Sequence, residues 1–309
     1  MPVIAPNHLQ QLKRATRARL ARVHPRFDDD PRWAVGMLAG RSLSTLEPLE
    51  GIQRPIVQGR DVPGLDANFV ADPFALYLGG TWYLFYEAMD RRTGRGVIAY
   101  STSDDLHDWS HHGTVLAEPF HLSYPWVVAI DDGIFMIPEA WQSGAVRLYR
   151  ADPFPYRWEF VGELITGPTL LDPTPFVAND GWAMFVETSP TLCAGELRLF
   201  RADALAGPWT EHPSSPVVVD DPGHARPAGR VVTMEGRRLR FAQDCARTYG
   251  EAVRAAEITH LDDTGYAEEA FALPVLSGSG SGWNADAMHH IDLHRHGEGW
   301  VAFVDGYRS

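Results

Sequence analysis

Carboxylates recur at matched positions along this chain. In ADPFALYLGGTWYLFYEA (71–88), Asp72 precedes an apolar run, Gly79-Gly80 breaks it, and Glu87 follows its return. LDPTPFVANDGWAMFVETS (171–189) repeats the pattern with Asp172, a turn at Asn179-Asp180-Gly181, and Glu187; both acid pairs are fifteen residues apart. YPWVVAIDDGIFMIPEA (124–140) runs from Tyr124 through Asp131-Asp132-Gly133 to Glu139. ARPAGRVVTMEGRRLRFAQDC (225–245) runs from Arg226 through Glu235-Gly236 to Asp244, and MHHIDLHRHGEGWVAFVDG (288–306) from His290 through Gly297 to Asp305. An apolar run folded at its midpoint sets its two ends side by side, since residues symmetric about a hairpin turn are cross-strand neighbours. Converging carboxyls raise one another's pKa and cannot all ionise without partners. Such pairs perform acid–base chemistry, and cleaving a glycosidic bond needs one carboxyl as acid and another as base or nucleophile.

The elements that must position these groups form a repeat. VIAYSTSDDLHDW, VRLYRADPFPYRW and LRLFRADALAGPW each follow a hairpin with a third strand, a loop beginning Ser/Ala-Asp, and a Trp opening a fourth strand. The fourth unit continues with AVRAAEITHL and YAEEAFALP. Four short strands per unit, repeated about every 50 residues, predict an all-β, five-bladed β-propeller over residues 66–308. The fifth unit has only two strands of its own, and an unclosed ring would expose strand edges. WAVGMLAG (33–40), with a second short strand around 46–49, is expected to complete blade five beside WVAFVDGY. Residues 33–309 are thus expected to form one propeller domain, and residues 1–32 a separate extension.

In a propeller the first strand of each blade lines the axis, so the pairs Asp72–Glu87, Tyr124–Glu139, Asp172–Glu187, Arg226–Asp244 and His290–Asp305 are expected on one rim. Gln243 and Tyr249 add hydrogen bonding and a stacking face, and Trp126, Trp141 and Trp283 lie near the expected rim loops. His289 and His290 are adjacent, so one faces the axis, and pairing with Asp305 selects His290. They have no spaced partner ligands, so no metal site is expected, and no cofactor either.

The chain has 309 residues, 45% of them hydrophobic, with ten Trp, ten Tyr and fourteen Phe, a composition suited to β-structure and sugar contact. A net charge of −13 argues against a nucleic-acid partner. No apolar run approaches a membrane span, the N-terminus lacks a secretory pattern, and the two cysteines give no disulfide framework; a cytoplasmic protein is expected. HLQQLKRATRARLARVHPR (8–26) carries six Lys and Arg, and Leu9, Leu12, Leu20 and Val23 fall at roughly helical spacing. It is expected to form a basic helix that packs on the main domain or contacts a membrane surface or a protein partner.

FVADPFALYLGGTWYLFYEA, AEPFHLSYPWV, PEAWQSGAVRLYRA, ARPAGRV, FAQDCARTYG and GWNADAMHHID resemble a bacterial family related to the N-terminal region of plant glucosamine inositolphosphorylceramide transferases. The resemblance runs from about Trp33 to Arg308, and that region is itself similar to the five-bladed propellers of family-43 glycoside hydrolases, invertases and levansucrases. The hydrolase pattern has an Asp opening blade one, an Asp opening blade three and an acidic Glu from blade four. Asp72 and Asp172 match the first two, whereas Arg226 stands at the start of blade four. The resemblance therefore implies Asp72 as base or nucleophile, Asp172 as the group tuning the acid, and Glu139 or Glu187 as that acid. Arg226, Asp244 and His290 would hold a glycan, glycoside or glycolipid. Two alternatives stay open: a glycan-binding or scaffold propeller without turnover, and an enzyme of phosphorylated or nucleotide-linked sugars anchored by Arg226.

Overall fold

The computed structural model describes residues 33–309, apart from residues 53, 132 and 190–194. The expected N-terminal helix lies outside the described residues. The chain folds as five antiparallel sheets, the blades of a propeller. Blade one holds strands Ala67–Leu78, Thr81–Asp90, Arg95–Ser103 and Ser110–Leu116, and blade two holds Ser123–Ile130, Gly133–Glu139, Ala145–Ala151 and Trp158–Thr166. Blade three holds Leu171–Ala178, Gly181–Glu187, Leu197–Ala202 and Thr210–Glu211. Blade four holds Val232–Met234, Arg237–Asp244, Ala252–Leu261 and Tyr266–Ala270, with Leu276–Ser277 paired beside its third strand.

Blade five closes the ring as expected. Its inner strands, Ile291–His296 and Gly299–Tyr307, are joined by Trp33–Gly40 and then Glu47–Pro48. Trp33 pairs with Tyr307 and Gly40 with Trp300, so the chain's first described strand covers the edge left by its last.

Local chemistry explains the repetition. Every inner hairpin turns through two residues: Leu78 faces Thr81, Ile130 faces Gly133, Ala178 faces Gly181, Met234 faces Arg237, and His296 faces Gly299. Tight hairpins need positive φ in the loop, and Gly79 and Gly80 supply it at 61° and 95°. The tryptophans that open the fourth strands close the preceding loops. The indole N–H of Trp109 donates to Leu106, that of Trp158 to Pro155, and that of Trp209 to Leu205, each to a backbone carbonyl at 3.0–3.2 Å.

The core lies between blades. Val35, Ala75, Trp82 and Phe303 fill the seam of blades five and one, and Phe74, Ile98, Trp126 and Met136 that of one and two. Phe176, Phe185, Leu199 and Ile258 join three to four, while Phe241, Ile291 and Val304 join four to five. Strands packed on both faces carry apolar residues on both, which is why the sequence shows runs instead of strict alternation.

At the axis, Gly229 passes so close to blade five that a Cβ there would sit 1.7 Å from the Ile291 carbonyl oxygen. Its φ of 138° also suits glycine alone. Gly229→Ala is expected to cost about 3 kcal/mol or more of unfolding free energy in urea denaturation, because backbone must move to admit the methyl. An unchanged midpoint would contradict this axial contact.

Candidate active site

The rim of the axis is built by a backbone irregularity shared by three blades. Ala71 pairs with Glu87 and Phe74 with Phe85, leaving Asp72 and Pro73 opposite the single residue Tyr86. Ser123–Glu139 and Trp126–Ile137 enclose Tyr124 and Pro125 in the same way, and Leu171–Glu187 and Thr174–Phe185 enclose Asp172 and Pro173. These are β-bulges, which re-aim a side chain out of the pleat. Asp72, Tyr124 and Asp172 accordingly have φ of 54°, 46° and 47°, a left-handed conformation that costs a non-glycine residue on the order of 1–3 kcal/mol. The expected cross-strand pairs Asp72–Glu87, Tyr124–Glu139 and Asp172–Glu187 are therefore each displaced by one residue, because a bulge adds one residue to one side of the ladder. Blade five has no such bulge, and the N–H of His290 donates to Asp305 at 3.0 Å.

Acids from the second strands brace the bulges of the next blade. Asp305 Oδ2 accepts the Asp72 N–H at 3.1 Å, and Glu139 Oε2 accepts the Asp172 N–H at 3.2 Å. Arg226 enters this ring from blade four. Its Nε lies 2.6 Å from Asp172 Oδ2 and 3.9 Å from Glu187 Oε2, and its Nη2 lies 3.4 Å from Glu139 Oε2. Gln243 donates to Asp172 Oδ2 at 2.9 Å, and the Tyr249 ring centre is 5.2 Å from the Arg226 guanidinium carbon.

One guanidinium thus faces Asp72, Glu87, Glu139, Asp172 and Glu187 on a rim that Asp305 shares, all six carboxyls buried. Burial is the main force on their protons. It pushes the Asp72 carboxyl up to about 7, with His289 opposing and Asp172 reinforcing the shift. It likewise pushes Glu187 up to about 7 against the pull of Arg226. Burial and the Asp172 charge hold Glu139 well above the carboxylate range, and burial with the Asp72 charge does so for Glu87. Burial also works on Asp305, but His289, whose Nδ1 is 2.6 Å from Oδ2, outweighs it and holds that carboxyl below its ordinary value. Burial holds His121 and His290 neutral by lowering each to about 4.

Some expected site residues stand elsewhere. Asp244 does not face Arg226; its Oδ2 takes the Arg254 Nε at 2.7 Å, and the Arg226 carbonyl pairs with the Gln243 N–H instead. Trp126 lies two residues past the rim, buried edge-to-face against Trp182. Trp283 packs on Gly36 and Gly306 of blade five, where a Cβ would meet its ring at 2.2 and 2.5 Å. Tyr124 is wholly buried, its hydroxyl accepting the Gly229 N–H at 2.7 Å and bonding Thr174 Oγ1 at 2.8 Å. His290 has no exposed surface and lies beneath Asp72, Nδ1 being 3.8 Å from Oδ1.

Other residues join the rim without having been expected there. His289 was expected to face away, yet its Nε2 is 3.7 Å from Asp72 Oδ1 and its ring stacks 4.2 Å from Trp33; the residues before Ile291 precede the regular strand, so alternation does not govern them. His121 accepts the Gly96 N–H on Nδ1, which leaves its Nε2–H toward Glu87 Oε1 at 3.4 Å. Asp72, His289 and Asp305 bring one ligand atom each to within 4.8 Å of one another, a set of donors that suits a divalent cation.

The raised carboxyls have a consequence for stability. Asp72 and Glu187 are protonated in the folded chain where the unfolded chain has already ionised, so folding binds protons and stability falls as pH rises through 7. Melting temperature is expected to drop between pH 6 and 7.5, with a slope on the order of 1 kcal/mol per pH unit for each such group below pH 7 that fades above it, where both states are ionised. The drop is expected to be shallower in Asp72→Asn; a melting temperature that is flat or rising over that interval would contradict the assignment.

Among the described residues, no helix is long and apolar enough to cross a membrane. Residues 25–307 match the family model described as glucosamine inositolphosphorylceramide transferase 1, N-terminal. The chain is 34% identical over 304 residues to glucosamine inositolphosphorylceramide transferase 1 of Oryza sativa subsp. japonica, covering 91% of this chain and 41% of that protein. The Arabidopsis thaliana protein of the same name is 30% identical over 306 residues, with 92% and 40% covered. The chain therefore spans about two fifths of the length of these relatives. Among solved structures it is similar to Zg3597, a family 117 glycoside hydrolase of the marine bacterium Zobellia galactanivorans, with a TM-score of 0.54, 15% identity, and 88% and 91% of the two chains covered. It is also similar to an exo-1,5-alpha-L-arabinanase from a bovine ruminal metagenomic library, with a TM-score of 0.56, 14% identity, and 77% and 91% covered. At these identities the likeness to solved structures is one of fold. The match over nearly the whole propeller and the identity to the plant proteins place this chain in the glucosamine inositolphosphorylceramide transferase 1 N-terminal family.

Proposed function

We propose that the propeller is a carbohydrate-active enzyme that cleaves or transfers at a glycosidic bond of a glycan or glycolipid. The observation that carries this reading is the protonation pattern on the rim. Burial pushes Asp72 up to about 7, so that it titrates near neutral pH, while burial and the Asp172 charge hold Glu139 well above the ordinary carboxylate range. A base and an acid in one pocket at one pH are what glycosidic chemistry requires.

The roles follow from exposure and bonding. Asp72 keeps some accessible surface, and its Oδ1 has no hydrogen-bond partner among the described residues. It acts as base or nucleophile. Glu139 also retains surface, whereas Glu187 has none and is held by the Ser189 hydroxyl at 2.9 Å. Glu139 is therefore the acid, and Glu187 tunes it through Arg226. Asp172, locked between Arg226 and Gln243, orients Glu139 and keeps its proton in place. Arg226 Nη1, Gln243 Oε1 and Glu87 Oε1 are also buried without hydrogen-bond partners among the described residues, and such atoms suit a polyhydroxylated ligand. The names of the plant relatives favour a glycolipid or its head group as substrate. Stacking falls to Tyr249 at the half-buried mouth.

A second reading rests on Arg226, which fills the place where the hydrolase pattern has an acid. Its unpartnered Nη1 also suits recognition of a glycan, a phosphorylated sugar or a nucleotide-linked sugar without hydrolysis.

Turnover of a glycoside panel separates the two. Asp72→Asn and Glu139→Gln are each expected to lower kcat by about 10²–10⁴-fold with the fold intact. The wild-type kcat/KM is expected to rise with pH through about 7, as Asp72 ionises, and to fall at higher pH as Glu139 loses its proton. Glycan binding by calorimetry with no product from any glycoside would select the second reading.

A further inference from the structure

The far end of the propeller carries a second pocket. Inner strands run from the rim toward it, and Asp172 and Val177 lie five residues apart on one strand, about 17 Å of extended chain. The pocket has a volume of ≈ 280 Å³ and is walled by residues of blades two, three and four, including Trp126, Phe176, Trp182, Arg230 and Arg238. That is just below the range usual for drug-sized ligands, the size for one ring.

Its chemistry is the reverse of the rim's. Among the described residues two arginines and no carboxylate line it, in a chain of net charge −13. Arg230 is neutralised by Asp292, to which it is hydrogen-bonded, and its Nη2 reaches the carbonyl oxygens of Ala75 and Val127 at 3.2 and 3.4 Å. Arg238 forms no ion pair with an acid among the described residues; its guanidinium carbon lies 6.0 Å from the Phe176 ring centre. Arg238 is therefore the uncompensated cation of the wall. Trp182 is partly exposed and meets Trp126 edge-to-face at 6.2 Å and 83°. The indole N–H of Trp126 is buried with no acceptor among the described residues, a donor that a native interior ordinarily satisfies.

We propose that this pocket binds a single sugar ring carrying one anionic group, a phosphate or a carboxylate. The ring lies against the Trp182 indole, which offers an apolar face to its C–H groups. The anion pairs with Arg238. A ring or hydroxyl oxygen accepts the Trp126 N–H. The site is separate from the carboxylate rim and does not depend on chemistry there.

Calorimetric titration of the full chain tests this with glucose 6-phosphate, glucuronate, glucose and inorganic phosphate. At least one of the two sugar anions is expected to bind, and glucose and inorganic phosphate to bind about tenfold or more weakly than it. Comparing the two sugar anions identifies which charged group the pocket takes. Arg238→Gln is expected to weaken binding about tenfold, Trp182→Leu to weaken it as well, and Asp72→Asn to leave it unchanged. No binding of either sugar anion, equal binding of glucose or of phosphate alone, or binding indifferent to Arg238→Gln would each overturn the proposal. Loss of binding in Asp72→Asn would also overturn it, by moving the ligand to the rim.

Discussion

One guanidinium among six buried carboxyls is the constraint on which this structure turns. A carboxylate and an arginine removed from water must find each other, and Arg226 satisfies Asp172 at 2.6 Å. Asp305 finds a second partner in His289. Among the described residues no further charged partner is paired with Asp72, Glu87, Glu139 and Glu187, so burial is relieved by keeping protons on. The rim therefore holds protons above the ordinary carboxylate range, at about 7 for Asp72 and Glu187. The same imbalance that lowers stability as pH rises is what the proposed acid–base chemistry would draw on.

The acids serve the fold as well as the chemistry. Asp305 and Glu139 each reach across a seam to cap the backbone N–H of a left-handed residue in the following blade. The bulges turn Asp72 and Asp172 toward the axis, and the caps offset part of the cost of that conformation. On the far side, Arg230 and Asp292 tie blades one, two, four and five together across the channel. Arg226 and Arg230, four residues apart on one blade, thus hold opposite ends of the axis.

Much of this was legible in the sequence. The two-residue turns, the tryptophans opening the fourth strands, and closure by residues 33–40 all follow from local pattern. So does the presence of Asp72, Asp172, Glu139 and Arg226 on one rim, because a repeat places equivalent residues at equivalent points. The details that escaped depend on contacts between distant parts of the chain. Asp72 and Asp305 are 233 positions apart, and nothing local marks the cap between them. Counting symmetrically about a turn missed the bulges and so misplaced the pairs of blades one, two and three by one. Asp244 was assigned by the same counting, but Arg254, diagonal to it on the neighbouring strand, takes its carboxylate. Trp126 and Trp283 have the composition of sugar platforms, yet one fills a seam and the other covers two glycines. His121 sits in an irregular lead-in to blade two, where no periodicity indicates which way a side chain points.

Membership of the family of the plant transferases' N-terminal region accords with the proposed sugar-handling rim, while Arg226 gives this rim its own electrostatic design. Its central claim concerns protons, and infrared titration reads them directly. The account predicts a protonated-carboxyl band that survives at pH 7, part of it titrating with a midpoint near 7 and that part reduced, with the Glu187 share remaining, in Asp72→Asn. A folded chain with no protonated carboxyl above about pH 6, the upper reach of ordinary carboxyl groups, would contradict it.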